Sequence, residues 1–264
     1  MVIKMKILII GARGGIAYQA AQLLMSKNHF VYLAVHTKEQ KRNLEQEIQD
    51  KRVEILKLDI TNKRDLEQID KLDYDVIWSH AGIGNGGTLL AMDIDILKQN
   101  YDVNIFGTIE VVKRGYNNFK RNHKRGKIFV TSSLAGYLPF PYLSCYTSSK
   151  AALSMLVTTM KTELKKENKN ISLSLIEPGA YKTGFNEVMI DNKEKYLDRN
   201  NIYYKDRKNI SRLQKNIFML IEKENYNKLV NKIVKEIEKE CPKFKIRAPL
   251  SQVIFTKIYL LLYR

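Results

Sequence analysis

Cysteine is scarce in this chain, with only Cys145 and Cys241 among 264 residues. The two lie far apart and show no metal-ligand spacing, which argues against a disulfide framework and for a reducing compartment. No apolar stretch reaches the roughly 18 residues that a membrane-spanning helix needs, although residues 253–263 come closest. We therefore expect a cytoplasmic protein without a transmembrane segment.

We also expect neither a linker nor a leader sequence. No run rich in proline, glycine or serine divides the chain, which predicts a single domain over residues 1–264. The apolar run at the amino terminus is too brief for a signal peptide and ends in a glycine turn rather than a cleavage site. It is better explained as a first strand, over residues 3–10.

Acidic residues are outnumbered, because 28 Asp and Glu stand against 45 Lys and Arg and give a formal net charge of +17. Such an excess can indicate a nucleic-acid or anionic-membrane surface. However, acidic residues are mixed with the lysines over residues 232–240, as on a solvated helix face. The densest basic run, residues 120–127, precedes a strand and so falls opposite the expected ligand site. We favour solubilising charge and expect no specific nucleic-acid partner.

The chemically informative residues are concentrated between Ser133 and Lys150. An apolar run over residues 127–131 predicts a buried strand, and helical periodicity follows from about Tyr146. On a helix, Tyr146 and Lys150 share one face because they are four residues apart. A nearby ammonium favours the phenolate and could lower the phenol pKa by roughly 1–3 units. The alternative is a chance pairing on an amphipathic surface turn.

Ser133 precedes Tyr146 by thirteen residues, at the carboxyl end of a predicted strand, where open α/β sheets place their ligands. This serine followed by YxxxK resembles the active site of the short-chain dehydrogenase/reductase family, and the resemblance runs over residues 3–185. It implies that Tyr146 is the general acid in carbonyl reduction, that Ser133 hydrogen-bonds the substrate oxygen, and that Lys150 lowers the tyrosine pKa and holds nicotinamide ribose hydroxyls. A VNxxG-like segment adds Asn104, which would position a water between Lys150 and solvent. No metal is required.

The glycine turn after the first strand predicts a phosphate site. Gly11 and Gly15 allow the backbone to approach a pyrophosphate, whose charge suits the amino terminus of the following helix. The turn resembles the family's TGxxxGxG pattern, with Ile10 in place of the threonine and Ala17 in place of the last glycine. Ile16, in the same turn, is assigned to the cofactor site with the two glycines.

The second predicted strand ends in His36 and Lys38, without the acidic residue that would bind an adenosine ribose 2′-hydroxyl. Together with Arg13 in the glycine turn, these cations favour NADP(H) over NAD(H). The resemblance assigns further cofactor contacts at the ends of later strands to Asp59, Ala81, Gly82, Pro178, Gly179 and Thr183. Asp59 would equally suit a helix N-cap.

Two positions depart from the family's NNAG motif, because Ser79 and His80 stand where two asparagines are usual. A hydrogen-bonded structural role for His80 is favoured over a metal ligand, since no partner lies at metal-ligand spacing. The departures leave a second interpretation open, a non-catalytic cofactor-binding sensor or scaffold of the same fold.

The pattern and the resemblance together predict an α/β doubly wound Rossmann fold, with about seven mainly parallel strands and helices on both faces. Residues 1–185 would form the cofactor and catalytic core, and residues 186–264 a substrate lid and C-terminal segment that contains Tyr196, Tyr203 and Tyr204. The implied activity interconverts a small, partly apolar carbonyl substrate and its alcohol. We expect a homodimer or homotetramer.

The C-terminal residues 250–264 carry apolar side chains at helical spacing, namely Val253, Ile254, Ile258, Leu261 and Leu262. Such a stripe could be covered by the lid and substrate pocket, by a second subunit, or by a membrane surface with Lys257 and Arg264 among the head groups. We favour a contact within the protein or between subunits, because the segment is short and carries few cations.

Overall fold

One parallel sheet forms the centre of the molecule. The computed structural model describes residues 4–167, 170–192 and 204–262. Its strands are β1 (Lys6–Ile10), β2 (Phe30–Val35), β3 (Val53–Lys57), β4 (Val76–Ser79), β5 (Gly126–Thr131), β6 (Ile171–Pro178) and β7 (Lys245–Ala248). Their order across the sheet is β3-β2-β1-β4-β5-β6-β7, and every neighbouring pair is parallel. The predicted doubly wound α/β fold is confirmed.

Helices cover both faces of this sheet. The described α-helices are α1 (Gly15–Ser26), α2 (Lys38–Glu47), α3 (Lys63–Lys71), α4 (Ile94–Tyr101), α5 (Thr108–Arg121), α6 (Ser144–Glu167), α7 (Phe185–Asn192), α8 (Arg207–Ile221), α9 (Asn227–Glu238) and α10 (Leu250–Leu262). Short 3₁₀ helices cover Leu89–Ala91 and Leu134–Tyr137, and a π-helical turn covers Asp102–Gly107. None of the helices in the described ranges is long and apolar enough to cross a membrane.

Alternate residues of β1 enter two different cores. Ile7 and Ile9 belong to the core that includes residues of α1 and α9, whereas Leu8 and Ile10 belong to the core that includes residues of α3, α5 and α6. All four side chains are buried. Because the sheet is covered on both faces, its strands are continuous apolar runs rather than alternating ones.

The strand order reverses at β1, since β2 and β3 lie on one side of it and β4 to β7 on the other. A crevice therefore opens beyond the carboxyl ends of β1 and β4, where sheets of this kind bind their ligands. Gly11 follows β1 at this edge, and His80 follows β4.

The edge strand β7 was not located from the sequence, and a buried ion pair joins it to β6. Glu177 on β6 is fully buried, and Arg247 on β7 donates from Nε to its Oε2 at 2.5 Å. Glu177 Oε1 accepts hydrogen bonds from Tyr137 OH at 2.5 Å and from Ser154 Oγ at 3.3 Å. This cluster connects two strands, α6 and the 3₁₀ helix that follows Ser133.

We expect Arg247→Met to lower the free energy of unfolding by about 2–3 kcal/mol. Removing one partner of a buried pair typically costs about 3–5 kcal/mol, and the Arg247 side chain keeps 23% of its surface exposed. Urea denaturation would measure the loss, with exposed Lys245→Met on the same strand as the matched control. Equal free energies of unfolding for the two variants would show that the ion pair between Arg247 and Glu177 does not stabilise the fold.

The described part of residues 186–264, predicted as a substrate lid and C-terminal segment, contributes both to the core and to the cavity. The packing of α9 on α1 adds Leu229 and Ile233 to the central core, and β7 is part of the sheet. Side chains from α7, α8 and α10 border the cavity described below. The lid predictions for Tyr196 and Tyr203 concern residues outside those that the structure describes.

The basic run before β5 is tied to the protein rather than free. Lys124 pairs with Asp73, Arg125 pairs with Glu240, and Lys127 Nζ donates to the Ile237 carbonyl at 2.8 Å. Because β5 begins at Gly126, the run lies at the amino ends of the strands, opposite the crevice. These contacts support the interpretation of the run as structural and solubilising charge.

Candidate active site

A cavity of about 1230 Å³ opens at the carboxyl ends of the strands. Pockets for a single small ligand usually measure roughly 300–1,000 Å³, so this cavity has room for two ligands side by side. Every predicted cofactor residue except Lys38 borders it, namely Gly11, Arg13, Gly15, Ile16, His36, Asp59, Ala81, Gly82, Tyr146, Lys150, Pro178, Gly179 and Thr183. Ser133 also borders the cavity.

Backbone geometry requires glycine in the turn after β1. Gly11 has a φ of +86°, and a Cβ there would stand 2.5 Å from the Ala81 amide nitrogen. A Cβ at Gly14 would meet His80 Nε2 at 2.8 Å. Gly14 is the N-cap of α1, so no side chain caps the helix, and the first turn of α1 carries no acidic residue. The N–H groups at this helix end can therefore bind a phosphate.

The cations at the far end of the cavity already have partners. Arg13 Nη1 lies 2.9 Å from both carboxylate oxygens of Glu47, and this hydrogen bonding lowers the pKa of Glu47. His36 Nε2 lies 3.2 Å from Asp59 Oδ2. Lys38 is exposed at the first position of α2 and does not border the cavity. The predicted set of three cations is thus reduced to Arg13 and His36.

Asp59 braces the turn before α3 without capping that helix. Its Oδ1 accepts hydrogen bonds from Thr61 N at 2.9 Å and from Thr61 Oγ1 at 2.7 Å. The N-cap of α3 is Asn62, whose side chain accepts from the amides of Arg64 and Asp65. The alternative interpretation of Asp59 as a helix N-cap is therefore wrong.

Three of the predicted catalytic side chains lie together on one wall. Ser133 follows β5, and its Oγ accepts from Ala135 N at 3.1 Å and donates to the Pro178 carbonyl at 3.4 Å. Tyr146 and Lys150 belong to the first turns of α6, and Lys150 Nζ lies 5.8 Å from the centroid of the Tyr146 ring. The arrangement places a hydroxyl, a phenol and an ammonium beside one cavity.

The Tyr146 phenol is protonated at neutral pH. Burial raises the pKa of Tyr146 to about 12, against a smaller lowering by its hydrogen bond with Ser133. Burial also lowers the pKa of Lys150 to about 8, and Lys150 Nζ donates to the Thr131 carbonyl at 3.2 Å. The expected lowering of the tyrosine pKa by Lys150 is therefore not found, because loss of hydration dominates and the ammonium is bonded elsewhere.

Asn104 lies behind the cavity wall, in the π-helical turn. Its Nδ2 donates to the Ile83 carbonyl and to Ser149 Oγ, each at 2.9 Å, and its Oδ1 accepts from Ile83 N at 2.9 Å. These bonds tie the segment after β4 to α6. A Cβ at Gly82 would meet Asn104 Oδ1 at 3.1 Å and Lys150 Nζ at 3.2 Å. Asn104 and Lys150 thus stand together behind Gly82.

His80 connects β4 to β5. Its Nδ1 lies 3.1 Å from Thr131 Oγ1, which also accepts a hydrogen bond from Trp78 Nε1 at 2.8 Å. Burial, aided by the charge of Lys150, lowers the pKa of His80 to about 3, so the imidazole is neutral and can accept the threonine proton. Among the described residues, no group of three or more His, Cys, Asp or Glu could hold a metal ion.

Gln252 on α10 is a site residue that the sequence did not single out. Its Oε1 accepts from the Ala180 amide at 2.8 Å, and its Nε2 donates to the Ile221 carbonyl at 2.7 Å. A Cβ at Gly179 would collide with the Gln252 side chain. The C-terminal helix therefore holds the turn after β6 in place. No motif in residues 250–264 signals this contact.

The remaining wall of the cavity is apolar. Phe185 on α7 lies beside Tyr146, with 5.4 Å between the ring centroids. The other apolar side chains of this wall come mainly from the segment before α6 and from α7, α8 and α10, and include Leu134, Leu138, Phe140, Leu143, Val188, Met189, Ile217, Phe218, Ile221 and Phe255. A ligand held at Tyr146 would therefore place the rest of its surface against hydrocarbon.

Comparison with known proteins by sequence shows the family of this chain. The family model described as short chain dehydrogenase matches residues 5–194. The 3-ketodihydrosphingosine reductase of Bacteroides thetaiotaomicron is 30% identical, over 95% of this chain and 90% of that protein. The family match thus includes the glycine turn after β1 and all four predicted catalytic residues.

Two solved structures share the fold at low sequence identity. A short chain dehydrogenase/reductase from Burkholderia phymatum in complex with NAD has a TM-score of 0.79 and 19% identity, and the match covers 98% of this chain and 95% of that one. A short chain dehydrogenase from Burkholderia cenocepacia in complex with NADP has a TM-score of 0.68 and 18% identity, with 97% and 92% covered. The chain belongs to the short-chain dehydrogenase family of oxidoreductases.

Proposed function

We propose that this chain interconverts a carbonyl and an alcohol, with NADP(H) as hydride carrier and Tyr146 as proton carrier. The observation that carries the proposal is the placement of Tyr146, Ser133 and Lys150 in one cavity with the glycine turn. That turn fits a dinucleotide, because Gly11, Gly14 and Gly15 leave most of its backbone open to a close approach and it ends at the uncapped amino terminus of α1.

A bound nicotinamide supplies or accepts the hydride. Tyr146 carries its proton at neutral pH and donates it to the substrate oxygen as negative charge develops there. Ser133 Oγ turns its hydrogen from the Pro178 carbonyl, 3.4 Å away, to the same substrate oxygen. Lys150, with a pKa of about 8, stays largely protonated at neutral pH. Although burial dominates the pKa of the Tyr146 phenol, the ammonium lies 5.8 Å from the ring centroid and would stabilise the phenolate formed during proton transfer.

Lys150 has a second role in the proposal, in holding the ribose hydroxyls of the nicotinamide half of the cofactor. Its position behind Gly82, on the cavity wall, supports this role. Asn104 stands beside it and would hold a water that returns the proton to Tyr146 through Lys150. Two of the three hydrogen bonds of Asn104 go to the Ile83 backbone, which fixes the segment that such a water would contact.

The preference for NADP(H) rests mainly on Arg13. A guanidinium at the cavity edge, with a planar set of donors, suits a 2′-phosphate. The present partner of Arg13 is the exposed Glu47 carboxylate, which a dianionic phosphate could replace. The strand β2 contains no acidic residue, and His36 is the next basic side chain along the cavity.

We expect Arg13→Ala to weaken NADPH binding at least about tenfold more than NADH binding, because a hydrogen bond to a charged group is worth about 1.5–3 kcal/mol. Quenching of protein fluorescence during titration with each cofactor measures both constants. Lys38→Ala is the matched control, since Lys38 carries the same charge outside the cavity lining. Equal losses for the two cofactors in Arg13→Ala would refute a phosphate-specific role.

The substrate in this proposal is a partly apolar ketone or aldehyde. The apolar wall around Tyr146 and Phe185 supports this substrate class. The name of the Bacteroides relative, a 3-ketodihydrosphingosine reductase, supports it as well. A panel of ketones and aldehydes of increasing chain length, assayed by NADPH oxidation, tests the activity. Cofactor binding without turnover on any member would instead support the sensor or scaffold interpretation.

The proposal also includes a homo-oligomeric assembly and a cytoplasmic location. Phe106, Met155 and Leu156 are exposed apolar side chains on the π-helical turn and α6, and they support a subunit contact of a homodimer or homotetramer. Both Cys145 and Cys241 are free thiols, which supports a cytoplasmic location. Light scattering during size-exclusion chromatography would give the number of subunits.

A further inference from the structure

The helix α10 turns its more apolar face away from the protein. Its exposed side chains are Leu250, Ser251, Ile254, Phe255, Lys257, Ile258, Leu261 and Leu262, and the last two keep 79% and 75% of their surface exposed. The face that packs on the protein contains the buried Val253 and Thr256 and the half-buried Gln252, Tyr259 and Leu260. A surface helix of a globular protein normally shows the opposite arrangement. Of the five apolar residues predicted to form a covered stripe, only Val253 is buried against the rest of the chain.

Within their bounds α8 and α10 carry only positive charges, although the acidic Glu222 and Glu224 follow α8. Neither α8 nor α10 contains an acidic residue, whereas together they carry the cations Arg207, Lys208, Arg212, Lys215 and Lys257. Lys215 lies 3.7 Å from the exposed Asp191 carboxylate. By contrast, α9 carries both signs. An apolar helix face is thus combined with a cationic neighbour, in a chain of net charge +17.

This face adjoins the entrance of the substrate side of the cavity. Phe255 is exposed and also borders the cavity, and Thr256 borders it from the same helix. Ile221, at the end of α8, borders it as well and is bonded to α10 through Gln252. The exposed apolar surface is therefore continuous with the apolar wall around Tyr146.

We propose that α10 lies in the surface of an anionic lipid bilayer, with its exposed face among the acyl chains and Lys257 and the α8 cations among the head groups. A helix of 13 residues is about 20 Å long and too short to span the roughly 30 Å hydrocarbon layer, so it lies along the interface. Docked this way, the cavity entrance faces the lipid. A substrate with an acyl chain then passes from the bilayer to Tyr146 without crossing water.

A second copy of the chain fits the same face less well. Two-fold symmetric contacts bring the same patch of each subunit together, which would place Lys257, the one charged residue of α10, against the same all-cationic face without an acidic partner from that helix. Anionic phospholipid supplies the opposite charge, and each cation near such a surface strengthens binding. The combination of charge and apolar surface therefore favours lipid.

Flotation of the full-length protein with vesicles tests the proposal. We expect binding to vesicles of equal parts phosphatidylcholine and phosphatidylglycerol, weaker binding to pure phosphatidylcholine, and release by salt. The double variant Leu261→Glu, Leu262→Glu should lose at least about tenfold in partitioning, because two apolar side chains no longer enter the lipid. Leu90→Glu is the matched control, since Leu90 is also exposed (88%) but lies on the 3₁₀ helix before α4.

Two further measurements separate this proposal from the proposed activity. On a short water-soluble ketone, the double variant should keep its kcat/KM, whereas on a long-chain ketone embedded in the anionic vesicles it should lose at least about tenfold. Wild-type protein that binds neither vesicle type would overturn the docking proposal. So would a change from dimer to monomer in the double variant without any vesicle binding, because the helix would then cover a second copy.

Discussion

Tyr146→Phe should lower kcat at least about 100-fold while leaving the NADPH dissociation constant nearly unchanged. General acid catalysis is typically worth 10²–10⁴-fold, and this substitution deletes only the phenolic oxygen. The ring itself stays in place beside Phe185, at 5.4 Å between centroids. Steady-state kinetics and cofactor titration on the same preparation measure the two quantities.

Tyr181→Phe is the matched control for this variant. Tyr181 is a buried tyrosine that also borders the cavity, and burial raises the pKa of its phenol to about 12 as well. It should lose far less activity than Tyr146→Phe. If Tyr146→Phe keeps more than about a tenth of the wild-type kcat, the proton-donor role assigned to Tyr146 is wrong.

Lys150→Met is expected to be nearly inactive and yet more stable than the wild type at neutral pH. Activity should fall at least about 100-fold, because the phenolate formed on Tyr146 loses its cation. Burial lowers the pKa of Lys150 from 10.5 to about 8, which corresponds to about 3 kcal/mol of destabilisation in the charged form. The lost hydrogen bond to the Thr131 carbonyl offsets about 1 kcal/mol. The free energy of unfolding of Lys150→Met should therefore exceed that of the wild type by about 2 kcal/mol.

The pH dependence of this gain identifies its cause. Below about pH 8 Lys150 is protonated in the folded and unfolded states, so the full cost of burying the charge is present. Between about 8 and 10.5 the unfolded chain binds more protons, and wild-type stability rises with pH. The advantage of Lys150→Met in urea denaturation should therefore shrink across that window. An advantage independent of pH, or equal to that of exposed Lys165→Met on the same helix, would contradict this explanation.

The residues that sequence analysis placed well are those whose arrangement is local in the chain. The spacing of Tyr146 and Lys150 on one helix, and the glycine turn between β1 and α1, need only backbone geometry to bring their groups into one cavity. The same holds for the fold class, because few folds are compatible with buried apolar strands that alternate with amphipathic helices. These features were predicted from positions within about twenty residues of each other.

Features set by distant contacts could not be predicted in this way. The short strand β7 depends on pairing with β6 and on the Arg247–Glu177 ion pair, across 70 residues. Gln252 reaches the turn after β6 from a segment without a motif. The pKa of Tyr146 depends on how completely its surroundings exclude water. The spacing of residues in the sequence carries no information about this.

Lys38 shows the limit of reasoning from residue type alone. A cation after β2 was predicted to face the cofactor, but the helix α2 begins at that residue and leaves its side chain exposed outside the cavity. Arg13 was predicted for the same reason and does border the cavity, paired with Glu47. The position of each residue relative to its own helix, before α1 for Arg13 and inside α2 for Lys38, could not be read from residue type.

Transfer of isotope from cofactor to product tests the central claim most directly. The purified protein is incubated with NADPH that carries deuterium on the transferable position of the nicotinamide, together with the ketone that the panel shows to be reduced fastest. The account predicts an alcohol with one deuterium on the carbinol carbon, formed by the wild type and almost absent with Tyr146→Phe. A protein that binds NADPH but yields no deuterated alcohol from any member of the panel would contradict the proposed activity.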